Sequence, residues 1–416
     1  MYGLLGESLS HSLSPLIHAL FGNNSYRLFE TSDLKTFFAE RKFKGINVTI
    51  PYKKVVAQYL DEIGPIAMRT GSINTIINRN GKLIGEDTDY SGLRYLIDYY
   101  SVPVSGKAVL ILGNGGAAQT VECLMKDLEA LSVNKLSRTP KASNDFYFTD
   151  YQKVCDCDII INTTPVGMFP HNDDPLLINI HNFPRLKTYI DLIYNPLRTS
   201  LFLESQDNGI LSYNGFLMLV AQAKTAHDLF FDKKTPISEI SRVYHALTRK
   251  MTNLVFIGMP LSGKSLYARM LNGKYHKRLV DTDQEIEAAE NMTITELFRQ
   301  KGERYFRERE FDFIKSIYKS HGLMISTGGG MIQNPELMNL LRQNGLLIFI
   351  DREKEDLAQK QLKNRPLIAS VEDLFRLYEK RHPLYEKYAD IVVKIPPGDQ
   401  YHHVEIEAKI NEYFSR

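Results

Sequence analysis

Tryptophan is absent from the 416 residues, and cysteine nearly so, with only Cys123, Cys155 and Cys157. Three thiols cannot build a paired disulfide framework, and a lone C-x-C lacks the second ligand pair of a zinc site. Ordinary reduced thiols in a cytoplasmic protein are the expectation. An excess of one charge is missing too, since 51 Lys and Arg against 49 Asp and Glu leave a formal net charge of +2. Such a balance gives no attraction to nucleic acid or to an anionic membrane. No apolar run approaches the ~20 residues that a membrane-spanning helix needs. The opening "MYGLLGESLSHSLSP" has neither the basic nor the apolar stretch of a signal peptide.

What is present is a globular composition, with 43% hydrophobic and 24% charged residues. The length argues for two or three domains. "GINVTI" (45–50), "KAVLILG" (107–113), "DIIINTTP" (158–165) and "TYIDLIY" (188–194) read as buried parallel strands, with amphipathic segments at 115–130 and 215–230 between and after them. A second series runs through "MTNLVFIG" (251–258), "RLVDTD" (278–283), "GLMISTGGG" (322–330), "GLLIFID" (345–351) and "ADIVVKI" (389–395). Strands alternating with helices predict an α/β fold with parallel sheets. "MTNLVFIG" reads like the start of an independent protein, which places a junction near 246–252.

Each series carries its own glycine turn. "GMPLSGKS" (258–265) follows an apolar strand and precedes a helix, the context of a P-loop. Gly258, Ser262 and Gly263 let backbone N–H groups converge on one phosphate, and the helix N-terminus adds its partial positive charge. Lys264 is placed to reach the β- and γ-phosphates of ATP, and the Ser265 hydroxyl to ligate Mg²⁺. "DTD" (281–283), "YFRERE" (305–310), "STGGG" (326–330), "NRPL" (364–367) and "KRHPLY" (380–385) follow. Taken singly, each charged run also reads as a solvated helix face.

In this order and spacing the motifs resemble shikimate kinase over 252–416. The resemblance implies that Asp283 takes the proton of the substrate hydroxyl and that Asp281 holds Mg²⁺ through water. It further implies that Arg307 and Arg381 clamp the substrate carboxylate, in the fork geometry that suits guanidinium. Gly328, Gly329 and Gly330 would let backbone approach the ring hydroxyls, and Arg365 would arrive on a closing lid. The chain departs from the family at Gln359 and Lys360, where arginine often stands near adenine.

"VLILGNGGAA" (109–118) is a strand, a glycine turn and a helix start, with Gly113, Gly115, Gly116 and Ala117 at the turn. One such fingerprint is weak evidence of a dinucleotide. After the next strand, where an acid would bind the ribose of NAD, stand Ser137, Arg138, Thr139 and Lys141. Two cations with hydroxyls suit a 2′-phosphate and hence NADP(H), the other reading being a basic surface turn. Upstream, "SHSLSP" (10–15), "NVTIPYK" (47–53), "GSINT" (71–75) and "GEDTD" (85–89) set polar residues among glycine and proline. A lysine and an aspartate there form either an acid/base pair or a plain salt bridge; the residues leave both open.

These motifs resemble shikimate dehydrogenase from residue 1 to about 245. The resemblance implies that Ser12, Ser14 and Tyr194 hold the substrate carboxylate and that Thr49, Asn74 and Gln222 bind ring hydroxyls. Lys53 and Asp89 would manage the proton, with Gly215 and Met218 near the nicotinamide. Two departures stand out. Asp87 replaces the usual asparagine of Asn-Thr-Asp, either raising the pKa of Asp89 or facing solvent, and Leu217 replaces a glycine before Met218.

The expected architecture is therefore a two-subdomain dehydrogenase followed by a P-loop kinase with a five-stranded parallel sheet. Its parts are a substrate subdomain at 1–100 completed by helices near 215–245, a Rossmann-like NADP subdomain at 101–214, and a kinase domain at 252–416. The expected function is reduction of 3-dehydroshikimate to shikimate with NADPH, then phosphorylation of shikimate with ATP and Mg²⁺. The alternatives are a kinase half reduced to a nucleotide-binding regulatory module, and a quinate dehydrogenase using NAD. Replacing Arg138 and Lys141 together by alanine should weaken NADPH more than NADH, by about 2–4 kcal/mol. Equal losses in the two Michaelis constants would show that the basic pair does not read the 2′-phosphate.

Overall fold

Strands covered on both faces read as near-continuous apolar runs, and the chain has many of them. Ile159–Asn162, Thr188–Asp191, Asn253–Ile257 and Leu323–Ser326 are buried along their whole length. The computed structural model describes residues 1–9, 12–170, 172, 174–359, 370–398 and 401–415. They divide into two units, Met1–Asn195 with Thr199–Tyr244, and His245–Arg416 with Pro196–Arg198. The change-over at Tyr244 lies inside the helix Ser238–Met251, whereas the sequence suggests a junction near 246–252.

The first unit holds two sheets. One runs in the order Tyr26–Glu30, Tyr2–Gly6, Gly45–Val48, Thr75–Arg79, Lys82–Glu86, Glu62–Ile63. It is mixed rather than parallel: Gly45–Val48 pairs parallel with Tyr2–Gly6 but antiparallel with Thr75–Arg79. The hairpin Thr75–Arg79/Lys82–Glu86 turns on Asn80 and Gly81, at φ +53° and +88°, the two positive values of a type I′ turn. The other sheet is wholly parallel, in the order Leu211–Asn214, Thr188–Asp191, Ile159–Asn162, Ala108–Leu112, Ser132–Ser137, Asp145–Tyr147. Strand order reverses between Ala108–Leu112 and Ile159–Asn162, and a crevice opens at such a point.

The second unit has a five-stranded parallel sheet, ordered Arg278–Asp281, Leu323–Ser326, Asn253–Ile257, Gly345–Asp351, Ile391–Lys394. Its reversal lies between Asn253–Ile257 and Leu323–Ser326, so the loops after these two strands face one crevice. Among the described residues no helix is long and apolar enough to cross a membrane.

In the first unit the helices Ser14–Leu20 and Phe216–Phe231 bury His18 and His227, which are 0% and 1% exposed. The His18 ring stacks on Tyr26 at 4.0 Å. Burial lowers the pKa of His18 to about 3, with the neighbouring His227 adding to it. Burial and then the Lys233 charge lower that of His227 to about 4. Both rings are neutral in the folded and the unfolded chain above the ordinary histidine value of about 6.5. As pH falls from there toward 4, only the unfolded chain takes up these protons. Stability should drop by about 1.4 kcal/mol per pH unit for each ring. Denaturant unfolding of the first unit between pH 7 and 4.5 measures this slope, which His227→Phe should flatten; an identical slope in the variant would refute the assignment.

Candidate active sites

Gly45–Val48 leads into a turn bearing Thr49 and Lys53, beside the start of the helix Thr88–Tyr99. Lys53 Nζ donates to Asp89 Oδ2 at 2.6 Å, and the two side chains keep exposures of 21% and 10%. Burial works to lower the Lys53 pKa, but the charge and hydrogen bond of Asp89, with Asp87 behind, raise it overall. Asn74 Oδ1 accepts from the Thr88 backbone N–H at 2.7 Å, and Gln222 Oε1 lies 3.3 Å from the Thr88 hydroxyl. Asn74 and Gln222 thus gather around the residue next to Asp89. Ser14 N donates to Ser12 Oγ at 3.3 Å where the helix Ser14–Leu20 begins. Tyr194 follows the strand Thr188–Asp191 and packs against Phe216, and burial raises its pKa.

Asp87 does not face solvent. It is 5% exposed and caps the helix Thr88–Tyr99, accepting from Asp89 N at 3.1 Å and from Thr120 Oγ1 at 2.7 Å. Burial, then the Asp89 charge, raise its pKa to about 6.

The glycine turn follows at the mouth of the crevice. Gly113 has φ +105°, and a Cβ there would lie 2.7 Å from Thr163 Oγ1. Gly115 opens on empty space, and Gly116 starts the helix Gly116–Asp127. A Cβ on Gly116 would sit 3.4 Å from Ser72 Oγ and 4.0 Å from Lys53 Cβ, so the turn runs beside the Lys53–Asp89 pair. A bare backbone concavity at a helix N-terminus fits a dinucleotide pyrophosphate. Ala117 lies in the first turn of that helix.

Arg138, Thr139 and Lys141 are exposed beyond the adjacent strand, as a 2′-phosphate requires. Ser137 is not: it is 2% exposed and donates its hydroxyl to Asp145 Oδ1 at 2.7 Å. Asp145 Oδ2 accepts from Asn114 Nδ2 and Lys141 N, both at 3.0 Å. Ser137 therefore braces this loop from beneath, its hydroxyl engaged with Asp145 rather than exposed like Arg138, Thr139 and Lys141. Gly215 is required by close approach, because a Cβ would strike the Leu192 carbonyl. Met218 is 8% exposed, and Leu217, fully buried, lies in the core rather than on an open face.

In the second unit Asn253–Ile257 ends at Gly258 (φ +148°), and the loop closes at Gly263 (φ +99°), the cap of the helix Lys264–Tyr275. Lys264 Nζ donates to the carbonyls of Gly258 and Met259 at 3.1 and 2.9 Å. Ser262 is buried, and its carbonyl accepts from Arg352 Nε at 3.2 Å. Ser265 Oγ lies 3.0 Å from Ser326 Oγ. Asp281 caps the helix Thr282–Glu290. Gly328 N donates to Thr282 Oγ1 at 2.9 Å, and a Cβ on Gly328 would lie 2.6 Å from Asp283 Oδ1. Gly330 faces the Arg307 guanidinium, and the Gly329 carbonyl accepts from Arg381 Nη1 at 3.1 Å and Tyr385 OH at 2.5 Å.

Lys264, Ser265, Asp281, Asp283, Arg307 and Arg381 line one cleft of about 970 Å³. Among the described residues there is no group of three or more His, Cys, Asp or Glu fit to hold a metal. Ser265 and Asp281 alone suit Mg²⁺ that keeps waters and is bound chiefly by phosphate. Arg365 lies outside the described residues, as does Lys360.

Residues 260–407 match the family described as shikimate kinase, and 4–76 the one described as shikimate dehydrogenase substrate binding domain. The shikimate dehydrogenase (NADP(+)) of Clostridium perfringens is 32% identical, over 59% of this chain and 98% of its own length. The chain belongs to the shikimate dehydrogenase family. The enzyme of the same name from Clostridium beijerinckii is 37% identical over 55% of this chain and 91% of its own. Shikimate dehydrogenase 1 of Peptoclostridium difficile superposes with a TM-score of 0.56 at 33% identity, covering 59% of this chain and 97% of that one. The Thermus thermophilus shikimate 5-dehydrogenase, solved with NADP(H) and shikimate, gives 0.53 at 27% identity, covering 59% and 98%. To this dehydrogenase the chain adds a kinase segment that lies wholly within its second unit.

The sequence reading missed Glu310, at 1% exposed the hub of the kinase cleft. Its Oε2 accepts from Arg307 Nη1 at 2.5 Å, while Glu303 holds the same guanidinium at 3.0 Å. Burial raises the Glu310 pKa to about 7, against the pull of Arg307 and with the Asp283 charge helping. Its signal was available, since an acid three residues after an arginine shares its helix face. Gly328→Ala would thrust a Cβ to 2.6 Å from Asp283 Oδ1 and 2.7 Å from Glu310 Oε1. Displacing these groups by about 1 Å should cut phosphoryl transfer roughly 10²-fold. Kinase and reductase rates measured on the same preparation check this, with the reductase unchanged; undiminished kinase activity would contradict the geometry.

Proposed function

We propose that the chain performs two consecutive steps of the shikimate pathway. The first unit reduces 3-dehydroshikimate to shikimate with NADPH, and the second phosphorylates shikimate to shikimate 3-phosphate with MgATP. The observation that carries this reading is the Lys53–Asp89 pair lying beside the Gly113–Gly116 turn. A proton source next to a dinucleotide cradle is what carbonyl reduction needs. An isolated surface salt bridge would have no reason to adjoin that turn.

NADPH supplies the hydride when bound. Lys53 donates a proton to the oxygen that becomes the C3 hydroxyl, and Asp89 orients and recharges Lys53. Thr49, Asn74 and Gln222 hold the ring hydroxyls, while Ser12, Ser14 and Tyr194 hold the carboxylate. Arg138 and Lys141, with Thr139, take the 2′-phosphate, which disfavours an NAD-dependent quinate dehydrogenase. In the second unit Gly258, Ser262, Gly263 and Lys264 cradle the phosphates of ATP, the phosphoryl donor, and Ser265 and Asp281 attend to Mg²⁺. Asp283 takes the proton of the substrate 3-hydroxyl, Arg307 and Arg381 grip the carboxylate, and Gly328, Gly329 and Gly330 admit the ring. Arg365, outside the described residues, would complete the set by the resemblance to shikimate kinase.

A regulatory module would have no use for Lys264, Asp283 and Arg307 in one cleft, so catalysis is the better reading. Free thiols and the absence of a spanning helix among the described residues fit a cytoplasmic enzyme. The decisive assay supplies 3-dehydroshikimate, NADPH and MgATP, and follows NADP⁺ and shikimate 3-phosphate. Lys53→Ala should lower the reductase kcat by about 10²–10⁴ and leave phosphorylation of added shikimate intact. Lys264→Ala should do the reverse. Failure of the unmodified chain to phosphorylate added shikimate would restore the regulatory-module reading.

A further inference from the structure

Asp87 is a carboxylate at the proton-transfer site that the reaction above leaves unused. Its surroundings are specific. One oxygen accepts from the backbone N–H of Asp89 and the other from Thr120, on the helix that begins at the glycine turn. Asp87 thus ties the residue that grips Lys53 to the helix behind the cofactor cradle. An asparagine would make the same two bonds, its oxygen accepting from Asp89 N and its amide donating to the Thr120 hydroxyl. What aspartate adds is a charge, and a carboxylate only 5% exposed is costly to keep ionised.

We infer that Asp87 is a positioning residue with an electrostatic role: its bonds hold Asp89 in place, and its charge retains the proton on Lys53. This rests on the reductase reading of the site. With Asp87 ionised, the group of Asp87, Asp89 and Lys53 carries a net −1; with Asp87 protonated it is neutral. The extra negative charge resists release of the Lys53 proton and repels the oxyanion that develops as hydride arrives. Ionised Asp87 therefore slows reduction, and by the same interaction it favours removal of the hydroxyl proton in the reverse oxidation.

The groups that face Asp87 are Asp89 on its own helix, Lys53 on the turn after Gly45–Val48, Cys123 on the helix Gly116–Asp127, and the hydroxyls of Thr70 and Thr120. Burial and then the Asp89 charge raise the pKa of Asp87, against the Thr120 and Thr70 hydroxyls and the Lys53 charge; burial raises that of Cys123, where Arg69 and Lys126 oppose Asp127 and Asp87. The carboxyl of Asp87, raised to about 6, changes charge within the pH range in which the enzyme can be assayed.

The test compares the full chain with Asp87→Asn from pH 5 to 8, measuring kcat for reduction of 3-dehydroshikimate and for oxidation of shikimate. The ratio of variant to unmodified kcat for reduction should rise several-fold as pH increases through 6, and the ratio for oxidation should fall. Kinase activity, unchanged in the variant, controls for folding. Ratios that stay constant with pH would overturn the inference. Thr120→Val serves if Asp87→Asn does not fold: it removes one hydrogen bond to the carboxylate and should move the inflection to higher pH. Carbon-13 NMR of aspartate-labelled protein gives a readout that needs no turnover. Two aspartate carboxyls, Asp87 and Asp191, should titrate near 6, and of these only the Asp87 signal should shift upward in Lys53→Met. An Asp87 signal that ignores Lys53→Met would overturn the inference, whereas absent reductase activity with a coupled Asp87 would overturn the function alone.

Discussion

A phosphate can be held by bare backbone only where a strand ends, a glycine reverses the chain and a helix begins. This chain meets the condition at Gly113–Gly116 and again at Gly258–Gly263, each after the central strand of its own parallel sheet. Positive φ at Gly113, Gly258 and Gly263 shows why side chains are excluded there. In each unit the loops at the neighbouring strand ends supply what the backbone cannot. Thr163 stands beside the first turn, and Ser326 meets Ser265 at the second. The chemistry of each half is thus anchored by one backbone geometry, and the rest of each sheet keeps it in place.

Around each anchor lies a buried carboxyl beyond those assigned to proton transfer. Asp87 is raised to about 6 and Glu310 to about 7, in both cases chiefly by burial. Their partners differ. Asp87 leans on neutral donors, Thr120 and a backbone N–H, and so keeps a charge that is free to act on Lys53. Glu310 pairs directly with Arg307, and its charge is spent in aiming a guanidinium. Removing the partner of a buried charge is more damaging than removing both, so Glu310 and Arg307 act as a unit, whereas Asp87 can be neutralised alone.

Much of this was legible from local pattern. Strand–turn–helix signatures need only neighbouring residues, which is why both glycine turns and the strands leading into them could be read. The Asn80–Gly81 hairpin was equally readable and was overlooked, and with it the antiparallel part of the first sheet. Other features depend on residues far apart in the chain. The burial of Ser137 is decided by Asp145, in a segment whose "SNDF" looks like any polar loop. Asp87 was expected either to face solvent or to act on Asp89. Its contact with Thr120, 33 residues away, comes from the packing of two helices that the local pattern does not encode.

The proposed assignment also explains why the same ring and carboxylate are recognised in two different ways. In that assignment the reductase side would offer hydroxyls to the carboxylate, from Ser12, Ser14 and Tyr194. The kinase side would offer guanidinium groups, from Arg307 and Arg381. Hydroxyls meet a carboxylate with bonds assisted by one charge, whereas a guanidinium adds an opposite full charge and a bidentate fork. A product that must leave the first site and enter the second is better served by uncharged donors at the first and cations at the second. Strong cationic grip at the reductase would stabilise shikimate as much as its precursor, since the carboxylate is the same in both, and would add nothing to the transition state. At the kinase the bound substrate must also approach the anionic phosphates of ATP. In the proposed assignment its carboxylate would be neutralised there by Arg381, which is buried at 2% exposure against the Gly329 carbonyl and so has its position set before substrate arrives.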